Sequence, residues 1–517
     1  MKLHRWQTEC LEIWEKNGYR GIVQAVTGAG KTVLAFCAVK KLLAAFPELR
    51  IRIVVPTIPL AHQWEKAFLQ ELGTEDFWPG FYGGGVHDDP DRRVLIYVVN
   101  SAREFFGKHA KRDLALGRQL FLICDECHHY TSPENRKIFS FLTEEVRKNG
   151  QVFTLGLSAT PFGTGDDGVL YRNLGPLIYE YGLQRAVSEG VIAPFVICET
   201  STSFLAEEGK EYAELSERVT GLMARVLSAY KELKGLPSAE FLKRLAAIAK
   251  KADMDPSEPA AALLLLLYRR KEISDLARSR IQCAVSLLRT LRKEERVIVF
   301  CERIEQAEEC LSSIRRAFGN GAAAVYHSGM TKESRNRVLS EFRERRFRIL
   351  VSCRCLDEGI DVPDAGVGIV LSSTSVPRQR IQRLGRVIRR ASGKEAACLY
   401  YISVRGSMED SAYFQETEDY ERFPLRYYPE EDVFSSGLYE YAGSEILKSM
   451  NEKHVSRESL LELRRCISEG ITRPDYLLSA EFQDAHIRRA ETVHERNYWK
   501  TMKKIGLNFK EDADGKL

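Results

Sequence analysis

The chain has 517 residues, 44% of them hydrophobic and 29% charged, with a formal net charge of +4. That length suggests about three domains. The balance excludes a chain of membrane spans and a uniformly basic nucleic-acid binder, so any anionic partner must meet a local surface.

The opening MKLHRWQTEC has no apolar signal core. The longest apolar run, AAALLLLLY at 260–268, falls short of the roughly 20 residues that cross a bilayer. No contact with a membrane is expected. The 12 cysteines are scattered, with a single CxxC outline from Cys124 to Cys127. That usage predicts reduced thiols and a cytoplasmic protein.

Short apolar, β-branched runs recur along the chain in two blocks. The first holds GIVQAV (21–26), IRIVVP (51–56), VLIYVV (94–99), LFLIC (120–124) and FTLGLSA (153–159). The second holds RVIVFC (296–301), AAAVYH (322–327), RILVSC (348–353), VGIVLSS (367–373) and ACLYYIS (397–403). Strands of this kind, alternating with longer helical patterns, predict parallel sheets buried on both faces. Between the blocks, 205–291 reads as amphipathic helices, and 411–517 reads as helical again. The predicted fold class is α/β: 1–204 and 292–410 are two tandem parallel-sheet domains, separated by a helical insertion or linker and followed by a helical C-terminal region.

AVTGAGKT (25–32) follows the first strand and opens a helix. Thr27, Gly28, Ala29 and Gly30 would wrap phosphate oxygens with backbone N–H groups, and the helix N-terminus favours negative charge. Lys31 would meet the β- and γ-phosphates of ATP, and Thr32 would hold Mg²⁺. The alternative is a chance glycine-rich turn, but a strand and a helix stand on the correct sides.

LFLICDECHHY (120–130) ends a buried strand on two carboxylates. Asp125 can hold Mg²⁺ across the cleft, and Glu126 can orient or deprotonate the attacking water. Mg²⁺ prefers oxygen ligands, so Cys127, His128 and His129 are poor first ligands. The zinc alternative for CDECHH needs wider ligand separations. His128 is expected to couple the site to its neighbours by hydrogen bonding.

Together with VVPTIPLAHQW (54–64), SATP (158–161), VIVFCERIEQAEECL (297–311), YHSGM (326–330), DEGIDVP (357–363) and QRLGRVIRR (382–390), these segments resemble the superfamily 2 helicases, in that family's order. DECHH is a DExH-type motif. With QRLGRVIRR, it looks closest to the XPB-like, RadD-like and UvsW-like DNA helicase branch.

The resemblance implies two RecA-like domains with ATP and Mg²⁺ in the cleft between them. Lys31, Asp125, Glu126, Gln382, Arg386 and Arg389 would be catalytic. Gln7, in an LxxWQ pattern, would read adenine, and Gly359 and Asp361 would sense nucleotide and strand together. The i, i+3 spacing puts Arg386 and Arg389 on one helix face, as arginine fingers or as part of a solvated basic face. Ser158 and Thr160 would link the nucleotide and strand sites; alone, they would be an ordinary strand-end cap. Thr57, Asn100, Ser101, His327 and Ser328 fall on the loops that would contact a nucleic-acid strand.

The implied activity is that of an ATP-dependent DNA helicase or translocase acting in repair, remodelling or genome defence. Single-stranded, duplex or forked DNA would be its partner, and RNA is disfavoured by DECHH and QRLGR. The alternatives are an RNA helicase or a motor subunit that displaces proteins without unwinding. A protein partner would dock on the helical insertion or on the C-terminal region. There Tyr413, Phe414, Tyr420, Phe423, Tyr427, Tyr428 and Trp499 interleave with basic residues, as in a stacking platform or a packed tail.

Overall fold

The computed structural model describes residues 3–72, 77–162, 168–251, 253–353, 365–372, 387, 397–407, 422–430, 432–436, 480–490, 493, 496, 499–500, 502–504 and 507. Backbone contacts divide the chain into two compact units. Met1–Pro194 form the body of the first; the described residues from Phe195 onward form the second, apart from Ala365, Gly366, Val387 and Ala397.

In the first unit, chain order runs α1 (Arg5–Lys16), β1 (Arg20–Ala25), α2 (Lys31–Ala45), β2 (Arg50–Val55), α3 (Ile58–Leu72), β3 (Gly80–Gly83), β4 (Val86–His87), β5 (Val94–Val98), α4 (Val99–Ala115), β6 (Leu120–Asp125), α5 (Glu144–Lys148), β7 (Val152–Ser158), α6 (Val169–Leu174), β8 (Leu177–Tyr181) and α7 (Leu183–Ser188). The strands form one sheet in the order β4-β3-β5-β2-β6-β7-β1-β8. Only the β3–β4 pair is antiparallel. Every residue of β5, β6 and β7 is buried, so these strands read as continuous apolar runs rather than as alternation.

Register decides which loops meet. Asp125 at the end of β6 pairs with Leu157, next to the last residue of β7. Gln24 near the end of β1 pairs with Ser158, and Val54 near the end of β2 pairs with Cys124. Four strand ends therefore share one edge of the sheet, where open α/β sheets carry ligands. Helix α1 closes the other side of the core. Its buried Trp14 donates its indole N–H to the Thr154 carbonyl at 2.9 Å.

The second unit holds β9 (Phe195–Thr202), α8 (Ala206–Ala229), α9 (Ser238–Lys251), α10 (Pro259–Leu276), α11 (Arg278–Thr290), β10 (Val297–Cys301), α12 (Ile304–Phe318), β11 (Ala323–Tyr326), α13 (Lys332–Arg343), β12 (Ile349–Cys353), β13 (Val367–Val370), β14 (Ala397–Val404), β15 (Arg422–Tyr428), β16 (Val433–Ser436) and α14 (Ala480–Arg489). Its sheet runs β11-β12-β10-β13-β14-β9-β15-β16. β9, expected within the first domain, pairs instead with β15 in this sheet.

The expected helical stretch divides. Val219, Val226, Leu245, Leu263 and Leu264 of α8, α9 and α10 build an apolar cluster of their own, whereas α11 packs on α12 and β9. A buried polar lattice joins the end of α10 to the sheet. Arg280, wholly buried, donates to the carbonyls of Ser274, Leu371 and Ile402. Gln306 donates to the Asp275 carbonyl and accepts from the Ser372 hydroxyl.

The region expected to be a helical tail contains the β15–β16 hairpin. Tyr427 is buried there, its ring 4.9 Å from Phe434 and its hydroxyl bonded to Asp432. Tyr427 therefore belongs to a packed core and not to an exposed stacking platform. Among the described residues, no helix is long and apolar enough to cross a membrane.

Candidate nucleotide site

β1 ends at Ala25, and the chain turns through a loop with Gly28 at φ +85° and Gly30 at φ +91°. Both values lie in the left-handed region that glycine enters without a steric penalty. Gly30 caps α2, which begins at Lys31 and Thr32. A Cβ at Gly30 would also stand 2.9 Å from the Gln7 side-chain nitrogen. The Lys31 ammonium folds back over the loop and donates to the Ala25 carbonyl at 3.0 Å.

Gln7 is buried against this loop. Its Nε2 donates to the Gly30 carbonyl at 3.0 Å, and its Oε1 accepts the His4 N–H at 2.9 Å. The structure thus ties Gln7 to the backbone that would cradle phosphate.

Asp125 lies across the loop at the end of β6 and is 5% exposed. Its Oδ2 accepts the Trp64 indole N–H at 2.8 Å, and its Oδ1 accepts the Glu126 N–H at 3.0 Å. Burial pushes the carboxyl above its ordinary range; the indole bond, the Lys31 charge and the Glu126 N–H pull it back. The Tyr130 hydroxyl bridges the carbonyls of Val54 and Asp125, at 2.9 and 2.8 Å, which joins the end of β2 to the end of β6.

Glu126 has φ +45° and ψ +52°, a left-handed conformation that costs a non-glycine residue on the order of 1 kcal/mol. Its carboxylate stands 3.4 Å from His128 Nδ1. The same nitrogen is 2.9 Å from Ser158 Oγ, which accepts the Thr160 N–H at 3.1 Å. His128, Ser158 and Thr160 therefore form one hydrogen-bonded chain reaching the loop after β7, with the Glu126 carboxylate beside its His128 end.

The site fits a nucleoside triphosphate with a divalent cation. A left-handed glycine turn opens a helix N-terminus, an ammonium bends over it, and a buried carboxylate closes the far side. Thr32 and Asp125 are the residues that would hold the cation. Among the described residues, no group of three or more His, Cys, Asp or Glu side chains is placed to hold a metal. Burial pushes the Cys124 thiol well above its ordinary range.

Thr57 stands at the head of α3, where its carbonyl accepts the Ala61 N–H. Asn100 and Ser101 open α4 after β5. β5, β2 and β6 are neighbours, so these positions leave the same sheet edge as the phosphate loop. In the second unit His327 is buried. Its Nδ1 accepts the Gly329 N–H at 3.2 Å, and its Nε2 is 2.8 Å from Glu308; Ser328 beside it is exposed. Gly359, Asp361, Gln382, Arg386 and Arg389 lie outside the described residues.

Trp64 and Tyr130 are site residues that reading the motifs did not single out. Both sit inside quoted motifs, at the last position of VVPTIPLAHQW and of LFLICDECHHY. Trp64 also follows Thr57 at the seven-residue spacing of one helix face.

Residues 1–163 match the family model described as type III restriction enzyme, res subunit, and residues 279–391 match the helicase conserved C-terminal domain. The chain is 31% identical to the DNA 3'-5' translocase XPB2 of Sulfurisphaera tokodaii over 78% of its own length and 82% of that protein's. It is 26% identical to the DNA 3'-5' helicase XPB of Kineococcus radiotolerans over 80% of its own length and 61% of that protein's. Its fold is similar to the Hef helicase domain of Pyrococcus furiosus, at a TM-score of 0.50, 17% identity, and 79% and 98% coverage of the two chains. With both helicase models present in order and a close XPB-like relative aligned along most of its length, the chain belongs to the superfamily 2 helicases, in their XPB-like branch.

Proposed function

We propose that this chain is an ATP-driven motor that moves on or remodels DNA. The observation that carries the reading is the single sheet edge on which the phosphate loop, Asp125, Glu126 and the His128–Ser158 chain meet. DNA as the substrate, and 3'-5' movement along it, are supported by the likeness to the DNA 3'-5' translocase XPB2 and the DNA 3'-5' helicase XPB.

ATP is the substrate. Lys31 and the N–H groups of 27–30 bind its phosphates, with Gln7 holding the loop in shape. Mg²⁺, when bound by Thr32 and Asp125, neutralises charge on the phosphates. Glu126 orients water for attack and takes its proton. Gln382, Arg386 and Arg389 are proposed as the partners of the γ-phosphate, and Gly359 and Asp361 as nucleotide sensors. His128, Ser158 and Thr160 relay the state of the phosphate to the loop after β7. Thr57, Asn100 and Ser101 contact the strand from the first unit. In the second, both His327 ring nitrogens are engaged, so contact falls to Ser328 and the loop backbone. Backbone-centred contact of this kind is indifferent to base sequence.

The test is ATP turnover and strand displacement against single-stranded, duplex and forked DNA and matched RNA. The motor reading expects stimulation by DNA above RNA. Stimulation by RNA alone would overturn the substrate assignment. Turnover with protein displacement but no unwinding would assign the chain to the non-unwinding motors.

A further inference from the structure

We infer that Trp64 is a positioning residue through which the strand-side end of α3 governs the carboxylate of Asp125; the inference rests on the motor reading above. Trp64 is 1% exposed, and its ring centroid lies 5.6 Å from Phe36 of α2, the helix that begins with Lys31 and Thr32. Its indole N–H reaches Asp125 Oδ2 at 2.8 Å. A hydrogen bond to a desolvated carboxylate is among the stronger ones a side chain makes. It acts on the side chain of Asp125, whose other oxygen accepts the Glu126 N–H, while Tyr130 holds the Asp125 carbonyl independently.

In the motor reading, the other end of the same helix, at Thr57, meets the strand. Trp64 follows Thr57 by seven residues, which places both on one side of α3, about 10 Å apart along its axis. The Thr57 hydroxyl is buried and finds no hydrogen-bond partner among the described residues. A strand phosphate that draws on Thr57 pulls on a rigid two-turn lever whose far end is the indole. Movement of α3 then changes how firmly Asp125 is aimed across the loop. Nucleic-acid stimulation of turnover runs through Trp64, in parallel with the His128–Ser158 route.

The test uses the full chain and two replacements: Trp64→Phe, and a benzothienyl analogue of tryptophan at position 64, which keeps the ring shape and lacks the N–H. Binding of a fluorescent, non-hydrolysable ATP analogue is measured with and without Mg²⁺, in the absence of DNA. Both replacements are expected to cut the Mg²⁺-dependent gain in affinity about tenfold and to leave Mg²⁺-free binding within about twofold. With single-stranded DNA present, the stimulation of turnover is expected to fall in greater proportion than the DNA-free rate. A benzothienyl variant with wild-type metal gain and stimulation would overturn the inference. So would equal loss of Mg²⁺-bound and Mg²⁺-free affinity, which would mark Trp64 as packing alone. A wild-type chain that no nucleic acid stimulates would sink the motor reading and the lever with it, while the metal gain still reports on the Trp64–Asp125 bond.

Discussion

The two units carry parallel sheets of the same kind but spend the C-terminal edges of those sheets differently. In the first, the strand ends hold Lys31, Asp125, Glu126, His128 and Ser158 in a connected polar set around an open glycine turn. In the second, the described residues near the corresponding edge are bonded to one another: Arg280 binds the carbonyls that follow β13 and lie within β14, and Gln306 joins Ser372 to the end of α10. Among the described residues, one set of polar groups surrounds a glycine turn, and the other anchors a helical layer. The difference teaches that a buried polar residue at a strand end is not itself a sign of chemistry. What separates the two cases among the described residues is the left-handed glycine turn and the helix N-terminus that the first set surrounds.

The comparison predicts opposite signatures. On the first edge, Lys31→Ala or Glu126→Gln should cut DNA-stimulated turnover by about 10³-fold with unchanged melting temperature. Wild-type turnover by either purified variant would break the assignment. On the second edge, Arg280→Met leaves three carbonyls short of a donor. Urea unfolding should show a loss of about 3 kcal/mol, while nucleotide affinity stays near wild type. Lost nucleotide affinity at unchanged stability would erase the contrast between the edges. A smaller effect separates turnover from work. His128→Ala removes the ring between Glu126 and Ser158, so strands displaced per ATP hydrolysed should fall about five- to tenfold, with turnover reduced less.

How far these edges could be read from sequence follows the same division. The phosphate loop and the carboxylate pair are contiguous motifs whose chemistry depends on neighbours one to seven positions away, so their residues could be named in advance. The strands of both sheets were legible where short apolar, β-branched runs stood out, as in LFLIC and RILVSC. β9 was not, because FVICETST is an ordinary strand and nothing local says which sheet it pairs with. β15 was missed because Pro424 interrupts RFPLRYY, a residue that argues against a strand. Trp64 on Asp125, Tyr130 on Val54 and Gln7 on Gly30 bridge 61, 76 and 23 residues of chain. Such partners depend on strand order, which no short segment encodes. The Arg280 lattice was hidden for the same reason: two of its three carbonyl acceptors are 91 and 122 residues away.

The smallest expected effect is also the one that bears most closely on the contrast between a closed edge and an open one. The Thr57 hydroxyl sits at the first edge, buried and without a partner among the described residues. An unsatisfied hydroxyl is a cost to the folded state, of about 1 kcal/mol. Thr57→Val keeps the β-branched shape and removes that cost, so the chain should become more stable by about 0.5–1 kcal/mol. If the hydroxyl is held there for a strand phosphate, the same change should weaken single-stranded DNA binding a few-fold and flatten its salt dependence slightly. Gains in stability with losses in strand binding are the mark of a group kept for a ligand. If stability and binding fall together, Thr57 belongs with Arg280 among the residues that close an edge, and the first edge is less open than its geometry indicates.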